Sequence, residues 1–302
     1  MGALLRRPGV IVLMYHRILG RDRGLAGLPI EAFAMQMRWL RENCEPITLD
    51  ALADRVAHPN RVRPAVLVTF DDGYRDYHDL AYPVLKDFAI PATVFLTTSF
   101  VDDGGTLWTD DVQWAALSTT RSRVTLPWSA ASSVPLPDHA ARDALGAEAR
   151  AYLKTVPDEE RRDLLPRLFA ALGNPPARER QMLNWDEVRR TMDITSYGGH
   201  SHTHPILSRL SSEVADREIR LCRERIGAET GNAPTAFAYP NGRPADYTAE
   251  TKALLRRNGF TVAFSTSEGI VGRDTDWMAV KRLPGDGLQA HEFAWFASGL
   301  GR

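Results

Sequence analysis

Short apolar runs rich in β-branched residues alternate along the chain with longer amphipathic stretches. Val10-Ile11-Val12-Leu13-Met14-Tyr15, residues 66–70, Ala92-Thr93-Val94-Phe95-Leu96, Ala236-Phe237-Ala238-Tyr239 and Thr261-Val262-Ala263-Phe264-Ser265 have the length and apolar character of buried strands, and residues 278–283, interrupted by Lys281-Arg282, are strand-like. Between them, residues 30–42, 79–88, 213–230 and 248–258 read as helices, the last two closing at Gly231 and Gly259. Such alternation predicts an α/β fold in which crossover helices join parallel strands into an open sheet or a barrel. Residues 102–182 break the rhythm. They are rich in Ala, Arg, Asp, Pro and Leu, and their helical runs over 138–154 and 159–172 have no strand partners. The reading is one domain spanning 1–302 with a helical insertion at about 102–182.

Composition changes this picture little. The 302 residues are 44% hydrophobic and 25% charged, with a formal net charge of −1, so nothing draws the chain toward nucleic acid or anionic lipid. Cys44 and Cys222 are far apart and in no metal-type spacing, as expected of free thiols. No apolar run approaches transmembrane length, and the first eight residues do not make a signal peptide. A cytoplasmic protein is expected, with a processed export form as the alternative.

Two stretches carry candidate chemistry. In Thr69-Phe70-Asp71-Asp72-Gly73 two carboxylates stand side by side at the end of a strand, although each raises the other's pKa and both lose solvation. In Gly198-Gly199-His200-Ser201-His202-Thr203-His204-Pro205 three histidines alternate behind two glycines. Imidazole is the commonest protein ligand for zinc-like metals. If the chain enters a helix near His204, His200 and His204 converge and His202 points elsewhere. One aspartate can then join them as a ligand while its neighbour takes a proton from an attacking water. Two imidazoles and a carboxylate leave coordination positions open, as catalytic sites require. The competing reading of the aspartates, a helix N-cap, loses weight once the histidines are considered.

These residues resemble the polysaccharide deacetylase family (carbohydrate esterase family four). Thr69-Phe70-Asp71-Asp72-Gly73 and His200-Ser201-x-x-His204-Pro205 look like its first two motifs, and Phe237-Ala238-Tyr239-Pro240-Asn241-Gly242 like a weaker third. Ile90-Pro91-Ala92-Thr93-Val94-Phe95 adds a further match, and the likeness runs from about residue 10 to 283. It implies a distorted, incomplete parallel (β/α) barrel and metal-dependent removal of an acetyl group from an acetylated amino sugar or saccharide precursor. By position, Asp71 would be the general base. Asp72, His200 and His204 would hold one divalent ion, Zn2+ first, with Co2+ or Ni2+ as alternatives. Ser201 would brace the ligand loop, and Asn241 would turn its backbone N–H toward the oxyanion.

Two positions depart from the family pattern. Ala238 stands where many members have an arginine that orients the base, with Arg282 as a candidate replacement. The C-terminal acid motif is also missing: Leu288-Gln289-Ala290-His291 has the wrong spacing. His16, ending the first strand in Met14-Tyr15-His16-Arg17, is the expected acid instead, since a residue there faces the mouth of a parallel barrel. It also matches a subgroup of these enzymes with an N-terminal Met-Tyr-His. The rival functions are a deformylase or other amidase on a lipid-linked or small substrate, and a non-catalytic carbohydrate-binding relative. Phosphoryl transfer is disfavoured by the lack of a phosphate loop and of a carboxylate for a second metal.

Overall fold

Val10, Ile11, Val12 and Leu13 are all but inaccessible to solvent, which explains why this strand reads as apolar without alternation: both of its faces are covered. The computed structural model describes residues 9–20, 27–59, 62–129, 133–286 and 293. It divides the chain into two compact units, Met1–Gly105 with Gln181–Arg302, and Thr106–Arg180.

The first unit is built on seven strands: β1 (Val10–Tyr15), β2 (Ala65–Phe70), β3 (Ala92–Leu96), β4 (Thr195–Gly199), β5 (Ala236–Ala238), β6 (Val262–Glu268) and β7 (Val280–Pro284). All pair in parallel in chain order, and β7 returns to β1 through Leu13↔Leu283 and Met14↔Pro284, so the ring closes. It has one strand fewer than the eight-stranded barrel. The register between β6 and β7 shifts between Phe264 and Glu268, a distortion that frees the upper part of β6. The two-residue strand Glu45–Pro46 pairs only with the start of β2, on the edge that β3 takes over from Val68 onward.

Parallel neighbours need crossovers, and these are helical between most strands. Ile30–Asn43 and Leu52–Ala57 precede β2, Tyr82–Asp87 precedes β3, Trp185–Arg190 precedes β4, Ser212–Thr230 precedes β5 and Ala249–Arg257 precedes β6. Their starts are written locally: Ser211 accepts from Val214 N–H, Asn184 and Thr248 form capping boxes, and Gly231 closes Ser212–Thr230 in the left-handed region. Strand parity divides the core. Ile11, Leu13, Val66, Val68, Val94 and Leu96 pack outward beneath helices, while Val10, Val12, Leu67, Phe95, Ala238, Phe264 and Val280 form a second cluster inside the ring. Among the described residues, no helix is long and apolar enough to cross a membrane.

β4 is absent from the strands expected from sequence, because Thr195-Ser196-Tyr197-Gly198-Gly199 reads as a glycine loop. Its glycines answer to crowding. A Cβ on Gly198 would lie 2.5 Å from the Phe95 ring and 2.8 Å from the Ala236 carbonyl oxygen. The strand forms from its neighbours' ladders despite low local propensity.

The unit Thr106–Arg180 holds the helices Trp108–Ser118, His139–Leu153 and Asp158–Ala171 and an antiparallel pair, Arg123–Thr125 with Ser133–Pro135. Val112, Ala115, Leu145, Leu153, Leu164 and Leu168 give it a core of its own. In the first unit, the helices flanking this excursion are tied together, since Trp185 Nε1 donates to Asp102 Oδ1 (2.7 Å) and Arg225 also pairs with Asp102.

Because Gly198 has no room for a side chain, Gly198→Ala should lower unfolding stability by roughly 1–3 kcal/mol. Denaturant midpoints of the two proteins measure this, and coincident midpoints would show that β4 can accommodate the methyl group.

Candidate active site

The two aspartates part company because the backbone changes course between them. Asp71 N–H still donates to Tyr15 O (2.9 Å), extending the β1–β2 ladder, so Asp71 keeps the parity of Leu67 and Thr69 and faces the barrel interior. Asp72 then adopts φ 73° and Gly73 φ 83°, in the left-handed region, and the parity is broken. A Cβ on Gly73 would also press on Leu96 Cδ2 at 2.9 Å. The Asp72 carboxylate thus turns away from Asp71 and toward the histidine loop.

That loop follows β4. His200 N–H donates to Leu96 O (2.9 Å), continuing the β3–β4 ladder. No helix begins at His204. Ser201 (φ 64°) and His204 (φ 61°) fold the loop back instead, and Ser201 Oγ accepts from His204 N–H at 3.0 Å. His204 Nε2 and His200 Nε2 are 3.2 Å apart, and they lie 3.3 and 3.2 Å from the same Asp72 Oδ1. His202 leaves this cluster, its Nδ1 2.9 Å from Thr98 Oγ1. Glu218 anchors the loop from the helix Ser212–Thr230 by accepting from the N–H groups of His202 and Thr203 and from Thr203 Oγ1. Sequence reasoning missed Glu218, since nothing local distinguishes it from other helix carboxylates.

The near-equilateral triangle of Asp72, His200 and His204 fits a divalent ion. An ion slightly off its plane can reach all three atoms at roughly 2.0–2.2 Å, the range of zinc–nitrogen and zinc–oxygen bonds. The donor chemistry fits as well. His200 Nδ1–H donates to Ala238 O (2.8 Å), which leaves the Nε2 lone pair for a metal. Burial, opposed by Asp72, holds the His204 pKa below its usual value and so favours the neutral ligand form. Burial alone would raise the Asp72 pKa, but the two imidazoles hold it well below the usual carboxylate range. A second group, His78, Asp79 and Glu187, is more open, and Arg75 already lies 3.0 Å from Asp79 and 3.6 Å from Glu187.

Asp71 is 2% exposed and is paired with Arg282. Arg282 Nη1 and Nη2 donate to its Oδ1 and Oδ2, both at 2.7 Å. Arg282 is itself held by Ser265 O (2.9 Å) and lies over the rings of Phe95 and Phe264. Burial pushes the Asp71 pKa up, but the guanidinium overcomes it and the net displacement is downward. An arginine on β7 thereby meets the carboxylate from a different strand than Ala238, the position of the third motif.

His16 follows β1 directly. Its Nδ1 is 2.8 Å from Asp286 Oδ2, and its backbone N–H donates to the same oxygen at 3.1 Å. Burial works to lower the His16 pKa, but the hydrogen bond and charge of Asp286, helped by Asp72 and Asp71, raise it to about 9. Asp286 was not foreseen. It lies two residues beyond β7. His291 lies outside the described residues. Asn241 sits after β5 at φ 61°, its carbonyl accepting from Thr266 Oγ1 (3.1 Å), and its own N–H finds no acceptor among the described residues. All of these groups lie at or just beyond the C-terminal ends of the strands, where parallel barrels assemble their sites.

Comparison with known proteins agrees with this arrangement. A model of the polysaccharide deacetylase family matches residues 58–142 and 143–263. A Bacillus subtilis (strain 168) protein, YxkH, provisionally named a polysaccharide deacetylase, is 35% identical over 89 residues, 28% of this chain and 30% of that protein. The poly-β-1,6-N-acetyl-D-glucosamine N-deacetylase of Escherichia coli (strain K12) is 30% identical over 99 residues, 31% of this chain and 15% of that enzyme. The matched stretches therefore span less than a third of either relative. The structure of the Streptococcus pyogenes deacetylase PplD, in complex with acetate, superposes with a TM-score of 0.62 at 16% identity, covering 92% of this chain and 93% of that one, which bears on the fold. With a family match across more than half of its residues, on a parallel barrel bearing the Asp-Asp and His-x-x-x-His motifs, the chain belongs to the polysaccharide deacetylase family.

Proposed function

We propose that this chain is a metal-dependent hydrolase that removes the N-acetyl group from an amino sugar, with one divalent ion, zinc in preference to cobalt or nickel, held by Asp72, His200 and His204. The observation that carries this reading is the division of labour between adjacent aspartates. Asp72 joins two imidazoles, while Asp71 stays ionised beside them without sharing their cluster. A binding protein has no use for the second carboxylate. The substrate class is supported by the name of the Escherichia coli relative, which specifies N-acetyl-D-glucosamine units.

When bound, the ion would lower the pKa of an attacking water and polarise the acyl carbonyl. Asp71 accepts the proton of that water, and Arg282 fixes its two oxygens and keeps it ionised. The Asn241 N–H is free to donate to the oxygen of the tetrahedral intermediate. His16 is cationic at neutral pH because Asp286 holds its proton, and with Nδ1 engaged its Nε2–H is the proton to deliver to the departing amine. Acetate and a free amine result, and the proton taken by Asp71 balances the one His16 gives up.

The deciding experiment is mass-spectrometric detection of acetyl loss from N-acetyl amino sugars, from monosaccharides to β-linked oligomers, with metal-reconstituted protein. Metal bound without hydrolysis of any of them would favour the carbohydrate-binding alternative.

Elemental analysis should find about one ion per chain. His200→Ala and His204→Ala should abolish it and His202→Ala should retain it; full metal in both ligand variants would remove the assignment. Asp71→Asn should keep the metal and lower turnover by roughly two to four orders of magnitude. If it strips the metal while Asp72→Asn does not, the two roles are exchanged. Arg282→Met removes the charge that holds the Asp71 pKa down, so the acid limb of the pH–rate profile should move to higher pH. An unmoved limb would mean that Arg282 does not tune the base.

His16 supplies the opposite limb. A group with a raised pKa is protonated below that value, so amide hydrolysis should fall as pH rises through it. His16→Ala should lose this limb and most amide hydrolysis, while an activated ester, whose leaving group needs no proton, is spared. Equal losses on amide and ester would exclude His16 as the acid.

A further inference from the structure

The helix Ile30–Asn43 turns Phe33, Gln36, Met37 and Leu40 into the core. Gln36 is the one polar residue on that stripe and is 4% exposed, at a position where an apolar side chain would ordinarily sit. Both ends of its amide are bonded. Nε2 donates to Gly285 O (3.2 Å) and Oε1 accepts from the Tyr15 hydroxyl (2.7 Å). The orientation follows from the partners, since a carbonyl can only accept.

Both partners lead to the same place. Gly285 immediately precedes Asp286, and Tyr15 immediately precedes His16. Gly285 N–H donates to Met14 O (2.8 Å), and a Cβ on Gly285 would fall 2.3 Å from the Tyr15 ring. The turn therefore rests directly on Tyr15, whose ring is clasped by Phe33 and Phe70. Gln36 bonds the carbonyl of that turn and the hydroxyl beneath it at once. The residue that holds His16 is thus anchored by a glutamine that touches neither His16 nor the metal cluster.

We propose that Gln36 is a positioning residue for His16: through Gly285 it fixes the turn from which Asp286 grips the imidazole. The proposal rests on the reading of His16 as the acid and names what sets that acid's proton affinity. The groups facing His16 are Asp286 beyond β7 and Asp71 and Asp72 beyond β2, with Arg282 behind Asp71 and the ligand histidines beyond Asp72. Asp286 alone among them is within hydrogen-bond distance of the imidazole, and a loosened turn weakens that bond first.

The test is a histidine titration by nitrogen-15 NMR on the zinc-loaded protein, read beside the pH–rate profile. Gln36→Met keeps the length and volume of the side chain and deletes both hydrogen bonds. The His16 midpoint should fall by about one pH unit, metal content should stay the same, and the alkaline limb of amide hydrolysis should move by the same amount. Tyr15→Phe, which removes one oxygen atom, should shift the midpoint the same way by less, and it carries the test should Gln36→Met fail to fold. A His16 midpoint equal to the parent's in the folded variant overturns the proposal. A midpoint that falls while the alkaline limb stays in place upholds the positioning role and rejects His16 as the acid.

Discussion

Asp71 is 2% and Asp72 6% exposed, and neither carboxylate could remain ionised in such surroundings alone. Withdrawing an ion from water costs several kcal/mol even after relaxation, and two adjacent like charges make matters worse. The molecule resolves this by giving each aspartate a different counter-charge. A buried guanidinium forks onto Asp71, and two imidazoles, with room for a dication among them, converge on Asp72. Neither solution is local. Arg282 comes from the seventh strand and the histidines from the loop after the fourth, so the pair can persist only once the ring has closed.

Separating the two carboxylates requires a backbone that departs from ordinary geometry. Six non-glycine residues among those described have positive φ, and Asp72, Ser201, His204 and Asn241 are four of them. Such conformations cost on the order of 1–3 kcal/mol each and persist where surrounding structure over-determines them. Here the surroundings are explicit: ladder bonds to Asp71 and His200, Ser201 Oγ on His204 N–H, Glu218 beneath the loop, and Thr266 on the Asn241 carbonyl. At Asp72, Ser201 and His204 the strain brings three polar side chains, those of Asp72, His200 and His204, together before any substrate arrives, which is the condition for electrostatic preorganisation.

Closure of the ring also joins residues 16 and 286. β7 lies against β1, so the segments that follow the two strands emerge at the same rim and a histidine meets an aspartate across 270 positions of sequence. The helix Ile30–Asn43 packs beneath this junction, Gln36 bonding Gly285 and Trp39 meeting Phe293 edge-on. The proton affinity of His16 is thereby set by how β7 ends as much as by the residues beside it.

Much of this was present in the sequence, for physical reasons. β1, β2 and β3 are apolar, β-branched runs because both faces of a parallel strand are covered, and that pattern survives without knowledge of neighbours. The Asp-Asp-Gly and His-x-x-x-His spacings were legible because several chemically costly residues stood close together in the chain. Position at a strand end, together with the Met-Tyr-His resemblance, drew attention to His16. What the sequence could not decide were pairings between distant segments and features without local propensity. β4 reads as a loop until Phe95 and Ala236 leave space only for glycine at its fourth position. The convergence of His200 and His204, argued from a helix entered near His204, comes instead from a left-handed turn held by Ser201 and Glu218. Arg282 could be named as a candidate partner of Asp71, but the two-point contact between them followed only from the closure of the ring. Asp286 and Gln36 look like any surface acid and any helix glutamine in the sequence, and tertiary structure alone brings one onto His16 and the other beneath the turn that carries it.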